Sequence, residues 1–268
     1  MRRPSLDADA LARLAPDLDV EVLGTAPSTN AVAAEQARAG APEGRVVVAE
    51  HQTAGRGRLD RSWEAPPRSS LTFSLVLRPT VPAASWPWLP LLTGHTVAKV
   101  LRGAGFAGAA VKWPNDVLVE DRKVAGILVE RVDTPSGPAA VVGVGLNVSQ
   151  AQDEIPVPTA TSLALESGAE PDRTTLLVAL LSGIREAVDA WQAGGPEASA
   201  HLRSSYTAAC ATVGRDVRVE LPSGETLVGR ATGIDASGRL VVAGPGGETV
   251  VGAGDVVHVR SATSGPDQ

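Results

Sequence analysis

Between Ala110 and Asn147 four apolar, β-branched runs follow one another with no space for a helix between them: Ala110 to Lys112, Val117 to Val119, Lys123 to Arg131 and Ala139 to Asn147. A parallel strand pair needs a crossover of about a dozen residues or more. Here the turn Glu120-Asp121-Arg122 joins two of the runs directly, as in a hairpin. The block therefore pairs antiparallel, which argues against a doubly wound parallel sheet.

The flanking segments complete the expected fold. Ser5 to Ala15 reads as a short helix capped by Ser5, and Val20 to Leu23 as a first strand. Ser28-Thr29-Asn30 opens an Ala-rich helix that Gly40 stops. Arg45 to Glu50 reads as a central strand, His51 to Pro67 as a Gly/Arg-rich loop, Leu71 to Leu77 as a strand and Leu89 to Ala104 as a helix. Two helices follow the β-rich block, Arg173 to Gln192 and Pro196 to Ala209. From Val213 short strands alternate with Gly-rich turns: Val217 to Leu221, Leu227 to Ile234, Leu240 to Val242, Thr249 to Val251 and Val256 to Val259. That is the pattern of a small SH3-like β-barrel. The expected class is α+β: a mixed sheet flanked by helices over residues 1–212, a barrel over 213–262 and a disordered polar tail over 263–268.

Charge and cysteine content narrow the function. The formal net charge is −6 and no long basic run is present, which disfavours a nucleic-acid partner. No apolar run approaches membrane-spanning length, and the opening residues lack the apolar stretch of a signal peptide. Cys210 is the single cysteine, so Cys-rich zinc sites and internal disulfides are excluded and a reducing, cytoplasmic location is expected.

Five segments carry residue types suited to chemistry. His51 to Trp63 places Arg56, Arg58 and Arg61 among Gly55 and Gly57, after a strand. Glycines let a backbone approach a ligand, and guanidinium forks suit phosphate or carboxylate. The loop is either an anion clamp or a solvated turn. Lys112-Trp113-Pro114-Asn115-Asp116 breaks two strands; Asp116 suits Mg²⁺ and Lys112 a phosphate, while Trp113 is better read as core. Lys123 starts an apolar strand that contains Gly126, so it either aims an ammonium into a site or flanks a hairpin. Gly143 and Gly145 share one strand face, leaving a groove for a flat ligand beside Asn147, without the spacing of a dinucleotide motif. Ser28, Thr29 and Asn30 are either a helix cap or a set of donors and acceptors at a helix N-terminus.

In this order and spacing, STN at Ser28, EHQTAGRGRLDRSW at Glu50, KWPNDV at Lys112, RKVAGILVE at Arg122 and GVGLNV at Gly143 resemble the biotin protein ligase family, over roughly residues 20 to 260. The resemblance implies a core related to class II aminoacyl-tRNA synthetases, with a small SH3-like C-terminal domain. It implies ATP, biotin and Mg²⁺ as reactants and cofactor, biotinyl-5′-AMP as intermediate, and a biotin carboxyl carrier domain of acyl-CoA carboxylase as acceptor. By the same resemblance, Ser28, Thr29, Asn30, Gln52, Gly55, Arg56, Gly57, Arg58, Trp63, Lys123, Gly126 and Gly145 would bind biotin. Arg56, Arg58, Arg61, Trp63, Asn115, Asp116, Lys123 and Asn147 would contact the nucleotide. Lys123, Arg58, Asp116 and Lys112 would support the chemistry, with Asp116 toward Mg²⁺.

Many bacterial relatives carry an N-terminal DNA-binding domain, and the ligase pattern here begins within about two dozen residues of Met1. The expectation is a ligase without DNA or membrane partners, monomeric or a weak ligand-dependent homodimer. A lipoate–protein ligase and a non-catalytic biotin-binding regulator are the alternatives.

Overall fold

A computed structural model describes residues 3–59 and 61–259. The expected tail over 263–268, the last residues of the expected barrel domain and Asp60 of the arginine loop lie outside the described residues. The chain runs α1 (Ala8–Leu14), β1 (Asp19–Leu23), α2 (Thr29–Arg38), β2 (Arg45–Ala49), β3 (Gly55–Arg56), β4 (Ser62–Trp63), β5 (Ser70–Leu77) and α3 (Trp88–Gly103). It continues through β6 (Ala110–Lys112), β7 (Asp116–Val119), β8 (Arg122–Thr134), β9 (Gly137–Asn147), α4 (Leu163–Ser167), α5 (Arg173–Ala193) and α6 (Gly195–Ala209). The last strands are β10 (Asp216–Glu220), β11 (Thr226–Ile234), β12 (Leu240–Gly244), β13 (Gly247–Val251) and β14 (Asp255–His258).

The main sheet has seven strands in the order β1-β2-β5-β9-β8-β7-β6. β1 and β2 pair parallel, with α2 between them as the crossover, and every other neighbouring pair is antiparallel. The expected β7–β8 hairpin closes through a two-residue turn in which Glu120 and Asp121 both have positive φ, 49° and 62°. Paired positive φ values match the right-handed twist of the strands they join.

The two sheet faces are built differently. Leu71, Phe73, Leu75 and Leu77 of β5 join the main apolar cluster with Leu89, Leu92 and Leu101 of α3 and with Leu177, Leu180 and Ile184 of α5. Each such buried side chain contributes on the order of 2 kcal/mol. On the opposite face Ala33, Ala34 and Ala37 of α2 pack with Val47, Val76 and Val141. β5 is therefore covered on both sides, and its alternate residues Ser70, Thr72 and Ser74 are buried although polar. These small polar groups and the glycines of β9 leave room on the α2 face, and the functional cleft forms there.

A five-stranded antiparallel sheet, β13-β12-β11-β10-β14, forms the SH3-like unit. Trp88 Nε1 donates to Ala236 O at 2.9 Å and Trp113 Nε1 to Gly238 O at 3.0 Å. The main apolar cluster continues into Val217, Val219, Ala231 and Leu240. The C-terminal sheet is thus stitched to the larger unit by two indole N–H groups and a shared core. Trp113 is 1% exposed, in keeping with its reading as a core residue.

Two local expectations change. The first helix begins at Ala8, capped by Asp7, whose Oδ1 accepts from Ala10 N at 2.8 Å; Ser5 is not its cap. The residues before it are drawn inward instead, because Leu6 N donates to Glu50 Oε1 at 2.7 Å. The stretch His51 to Pro67 is not all loop, since it contains the hairpin of β3 and β4.

Candidate active site

The arginine segment folds as a small hairpin laid over the sheet. Gly55 pairs with Trp63 and Arg56 with Ser62, while Gly57 N donates to Arg61 O at 2.6 Å. Glycine is required at residue 55: a Cβ there would overlap the Trp63 carbonyl and stand 2.7 Å from Gln52 Nε2. The base of the hairpin follows Glu50, which forms a buried ion pair with Arg173 of α5 at 2.8 Å.

The floor beneath the hairpin consists of glycines. Gly126 of β8 and Gly145 of β9 are cross-strand partners. A Cβ on Gly145 would lie 2.6 Å from the Trp63 ring, and one on Gly126 would lie 3.4 Å from that ring and from Lys123 Nζ. Gly143, two residues along β9, clears space for the side-chain amide of Asn30. Each glycine of the Gly-Val-Gly motif thus admits one group, Asn30 or Trp63, to the sheet surface.

At the start of α2, Ser28 occupies the cap position but makes no side-chain cap bond. Gln52 takes over, its Oε1 accepting from Thr29 N at 2.7 Å. Ser74 Oγ stands 2.8 Å from Thr29 Oγ1 and 2.6 Å from Asn30 Oδ1. A hydroxyl has one proton and an amide oxygen only accepts, so Ser74 donates to Asn30 and receives from Thr29. The helix start is a buried polar chain rather than a plain cap.

Lys123 reaches this face because β8 is irregular. The β7–β8 register shifts between Val117 and Leu118, which pair with Ala125 and Lys123. The bulge puts Lys123 on the same side as Gly126, although they are an odd three positions apart. Lys123 N donates to Thr159 O and its carbonyl accepts from Thr161 N, both at 2.8 Å, so its backbone is held on both sides. Lys123 Nζ lies 2.6 Å from Asp116 Oδ1.

Asn115 is locked to Ile127 by two bonds, its Nδ2 donating to Ile127 O at 3.0 Å and its carbonyl accepting from Ile127 N at 2.8 Å. Its Oδ1 accepts from Arg58 Nη1 at 3.0 Å.

The electrostatics favour an anion. Burial lowers the Arg58 pKa from its usual value, opposed by the carboxylates of Asp116 and Asp255. Arg61 is raised, first by its hydrogen bond to Asp255, which it meets at 2.5 Å. Burial alone would raise Asp255, yet Arg61, Lys112 and Lys123 outweigh it and hold its carboxyl below the ordinary range. Three arginines of the hairpin thus engage three separate elements: Arg56 meets Glu130 of β8, Arg58 meets Asn115, and Arg61 meets Asp255 of β14.

Ser28, Thr29, Asn30, Gln52, Arg56, Gly57, Arg58, Arg61, Trp63, Asn115, Asp116, Lys123, Gly126 and Gly145 all line one cleft. Gly55, Lys112 and Asn147 do not. Gly55 serves at the hairpin base. Lys112 faces Asp116 across the β6–β7 pair and acts by charge on Asp255 and His258. Both ends of the Asn147 amide are engaged, Nδ2 to Thr161 O at 2.9 Å and Oδ1 from Gln150 Nε2 at 2.8 Å. The lining also includes Gly143, which the sequence places with Gly145 on the groove face, and Thr72, Gly254 and Asp255, to which the sequence reading gave no role. Gly143 was visible in the Gly-Val-Gly motif; Asp255 had no local signal because it arrives from the C-terminal sheet. Among the described residues no group of three or more His, Cys, Asp or Glu is arranged to hold a metal by itself.

Residues 23–147 match the biotin/lipoate A/B protein ligase family, and residues 212–259 match the biotin protein ligase C-terminal domain. A biotin–[acetyl-CoA-carboxylase] ligase of Mycobacterium tuberculosis is 42% identical over 90% of this chain and 89% of its own length. The chain belongs to the biotin protein ligase family. A member from Paracoccus denitrificans, also a biotin–[acetyl-CoA-carboxylase] ligase, is 35% identical over 88% of this chain and 98% of its own length. A biotin protein ligase from Aquifex aeolicus, solved with biotin and ATP, superposes with a TM-score of 0.78 at 27% identity, covering 91% of this chain and 99% of that one. This family member brings STN, Arg56 to Arg58 of GRGR, Asn115 and Asp116 of WPND, the β8 lysine and the glycine pair together at one cleft.

Proposed function

We infer that the chain is a biotin–protein ligase, which activates biotin with ATP and transfers it to a lysine of its acceptor. The observation that carries this reading is the glycine-floored cleft. It combines an apolar indole wall, a polar end at Ser28, Thr29, Asn30 and Gln52, and a cationic end at Arg58, Arg61 and Lys123. A ligand with a ureido ring at one end and a carboxylate at the other matches that polarity.

In the first step the biotin carboxylate attacks the α-phosphate of ATP, forming the mixed anhydride biotinyl-5′-AMP as pyrophosphate leaves. Both reactants are anions, so catalysis requires fixed positive charge where they meet. Lys123, held by its bulged strand and by Asp116, supplies it at the carboxylate and α-phosphate. Arg58 and Arg61 supply it at the phosphates. In the second step an uncharged acceptor lysine amine attacks the acyl carbon, forming the amide and expelling AMP with loss of a proton. The hairpin excludes water and retains the anhydride between the steps.

Asp116 would hold Mg²⁺ together with the phosphate oxygens, which suits an ion that takes few protein carboxylates. When bound, the ion would neutralise phosphate charge. Gly254 and Asp255 give the C-terminal sheet, which we assign to a domain beginning near residue 213, a part in the cleft wall. The acceptor in this reading is a biotin carboxyl carrier domain of acyl-CoA carboxylase. The protein acts in the cytoplasm as a monomer or a weak ligand-dependent dimer. No helix among the described residues is long and apolar enough to cross a membrane.

Biotin-dependent ATP–pyrophosphate exchange with Mg²⁺ tests the reading without an acceptor. Exchange with biotin but not with lipoate is expected. Exchange with lipoate instead would reverse the substrate assignment, and biotin binding without exchange would reduce the chain to a binding module.

A further inference from the structure

Glu130 ends the Lys-Val-Ala-Gly-Ile-Leu-Val-Glu run of β8, eight residues counted from Lys123, and nothing in the chemistry above uses it. Its Oε2 nevertheless accepts two bonds at once, from Asn30 Nδ2 at 2.7 Å and from Arg56 Nη2 at 2.9 Å. The two donors come from opposite sides of the cleft, one from the start of α2 and one from the hairpin.

The rest of the Asn30 amide is also held, apart from one lone pair of Oδ1 that stays open to a ligand. The second Nδ2 hydrogen goes to Leu128 O at 3.2 Å, and Oδ1 accepts from Ser74. Gly143 leaves the space in which the amide lies. Turning the amide over would set its oxygen against a carbonyl and a carboxylate, so Glu130 fixes which end of Asn30 is oxygen. Arg56 is different. Its side chain is 47% exposed and long, and Glu130, itself 31% exposed, is the carboxylate it pairs with.

We propose that Glu130 is a positioning residue that latches the arginine hairpin to the biotin-recognition wall, orienting Asn30 and tethering Arg56 through one carboxylate oxygen. The proposal rests on the biotin-adenylating reading of the cleft. Glu130 does not line the cleft; it acts through Asn30 on recognition and through Arg56 on closure. These two effects are separable. A glutamine at residue 130 keeps an oxygen for Asn30 but removes the charge that attracts Arg56. An alanine removes both and leaves an Asn30 N–H without its acceptor.

The test uses the full chain and compares wild type, Glu130→Gln, Glu130→Ala, Arg56→Ala and the Glu130→Gln/Arg56→Ala double variant. The readouts are the rate of biotinyl-AMP release after a single turnover, KM for biotin in pyrophosphate exchange, and Tm. Glu130→Gln is expected to release biotinyl-AMP about threefold to fivefold faster, the scale of one partly exposed ion pair, with KM for biotin within about twofold of wild type. Glu130→Ala is expected to raise KM for biotin as well. In the Arg56→Ala background Glu130→Gln should add nothing to release, because the tether is already cut. Wild-type release from Glu130→Gln, or release effects that multiply in the double variant, would overturn the latch. Because Glu130→Gln preserves the bond to Asn30, it keeps the test valid if the alanine variant folds poorly. Absence of biotin-dependent exchange in the wild type would sink the adenylating reading and the latch with it. Normal wild-type exchange with unchanged Glu130→Gln release would sink the latch alone.

Discussion

A Cβ on Gly145 would stand 2.6 Å from the Trp63 indole, so the hairpin lies against the sheet only because residue 145 has no side chain. Gly145→Ala should therefore lift Trp63 and open the cleft. Rigid sheet backbone lies on one side and a hinged two-strand hairpin on the other, and the hairpin should move first. We expect kcat/KM for biotin in pyrophosphate exchange to fall tenfold or more, a cost of about 1.4 kcal/mol or greater, while Tm shifts by only a few degrees. Wild-type kcat/KM would mean that adenylation proceeds without the indole on the glycine floor.

Lys123 and Asp116 form an ion pair at 2.6 Å at the cationic end of the cleft. Removing the ammonium deprives the reacting anions of a fixed counter-charge and leaves Asp116 repelling them. Lys123→Ala should lower kcat for exchange by roughly 10²-fold or more, the scale typical of one preorganised electrostatic group. Lys123→Arg should not restore it, because a planar fork does not replace a compact ammonium above Gly126. Undiminished turnover in Lys123→Ala would remove Lys123 from the chemistry.

How legible these arrangements are in the sequence depends on how local their causes are. The β7–β8 hairpin is encoded in three residues, and the break at Trp113 to Asp116 lies where the chain leaves one strand for the next. The motif segments meet at one cleft because each stands at a strand end or a helix start on the same sheet face. Non-local facts leave no such mark. The bulge that turns Lys123 toward Gly126 arises in strand pairing, and Asp255 reaches Arg61 across 194 residues. Nothing in the run of an Asn after two glycines signals that Gln150 and Thr161 engage the Asn147 amide. The Ser5 cap failed for a similar reason: Glu50 draws Leu6 inward, so the helix starts later, at a residue better able to accept from its first turn.

Trp113 separates packing from hydrogen bonding at the junction of the two sheets. Its ring is buried and its Nε1 donates to Gly238 O at 3.0 Å, while its backbone N donates to Thr212 Oγ1 at 3.1 Å. Trp113→Phe keeps most of the apolar volume and leaves the Gly238 carbonyl without its indole partner. The expected cost is about 1–3 kcal/mol in chemical unfolding. KM for biotin should stay within about twofold, because the ring is not part of the cleft lining. A variant as stable as wild type would show that the indole bond does not join the sheets energetically.

Two histidines make the fold sensitive to mild acid. His95 of α3 has its pKa lowered to about 4, first by burial and then by Arg102, Lys99 and His201; Glu186 of α5 shares its cleft. His258 of β14 is also lowered to about 4, by burial first and then by Lys112 and Arg215, with Asp121 opposing. Arg215 Nη1 stands 3.4 Å from His258 Nδ1 and can only donate, which requires that nitrogen to be unprotonated. Both rings are thus neutral in the fold, while in the unfolded chain they bind protons near 6.5. Between those values the unfolded state holds more protons, so stability rises with pH across the window and falls as the solution is acidified from about 6.5 toward 4. Tm measured from pH 7.5 to 4.5 should decline over that range, and His95→Asn, which carries no titrating ring, should flatten the decline. An identical slope in the variant would mean that His95 protonates as readily folded as unfolded, and that its burial does not govern the acid response.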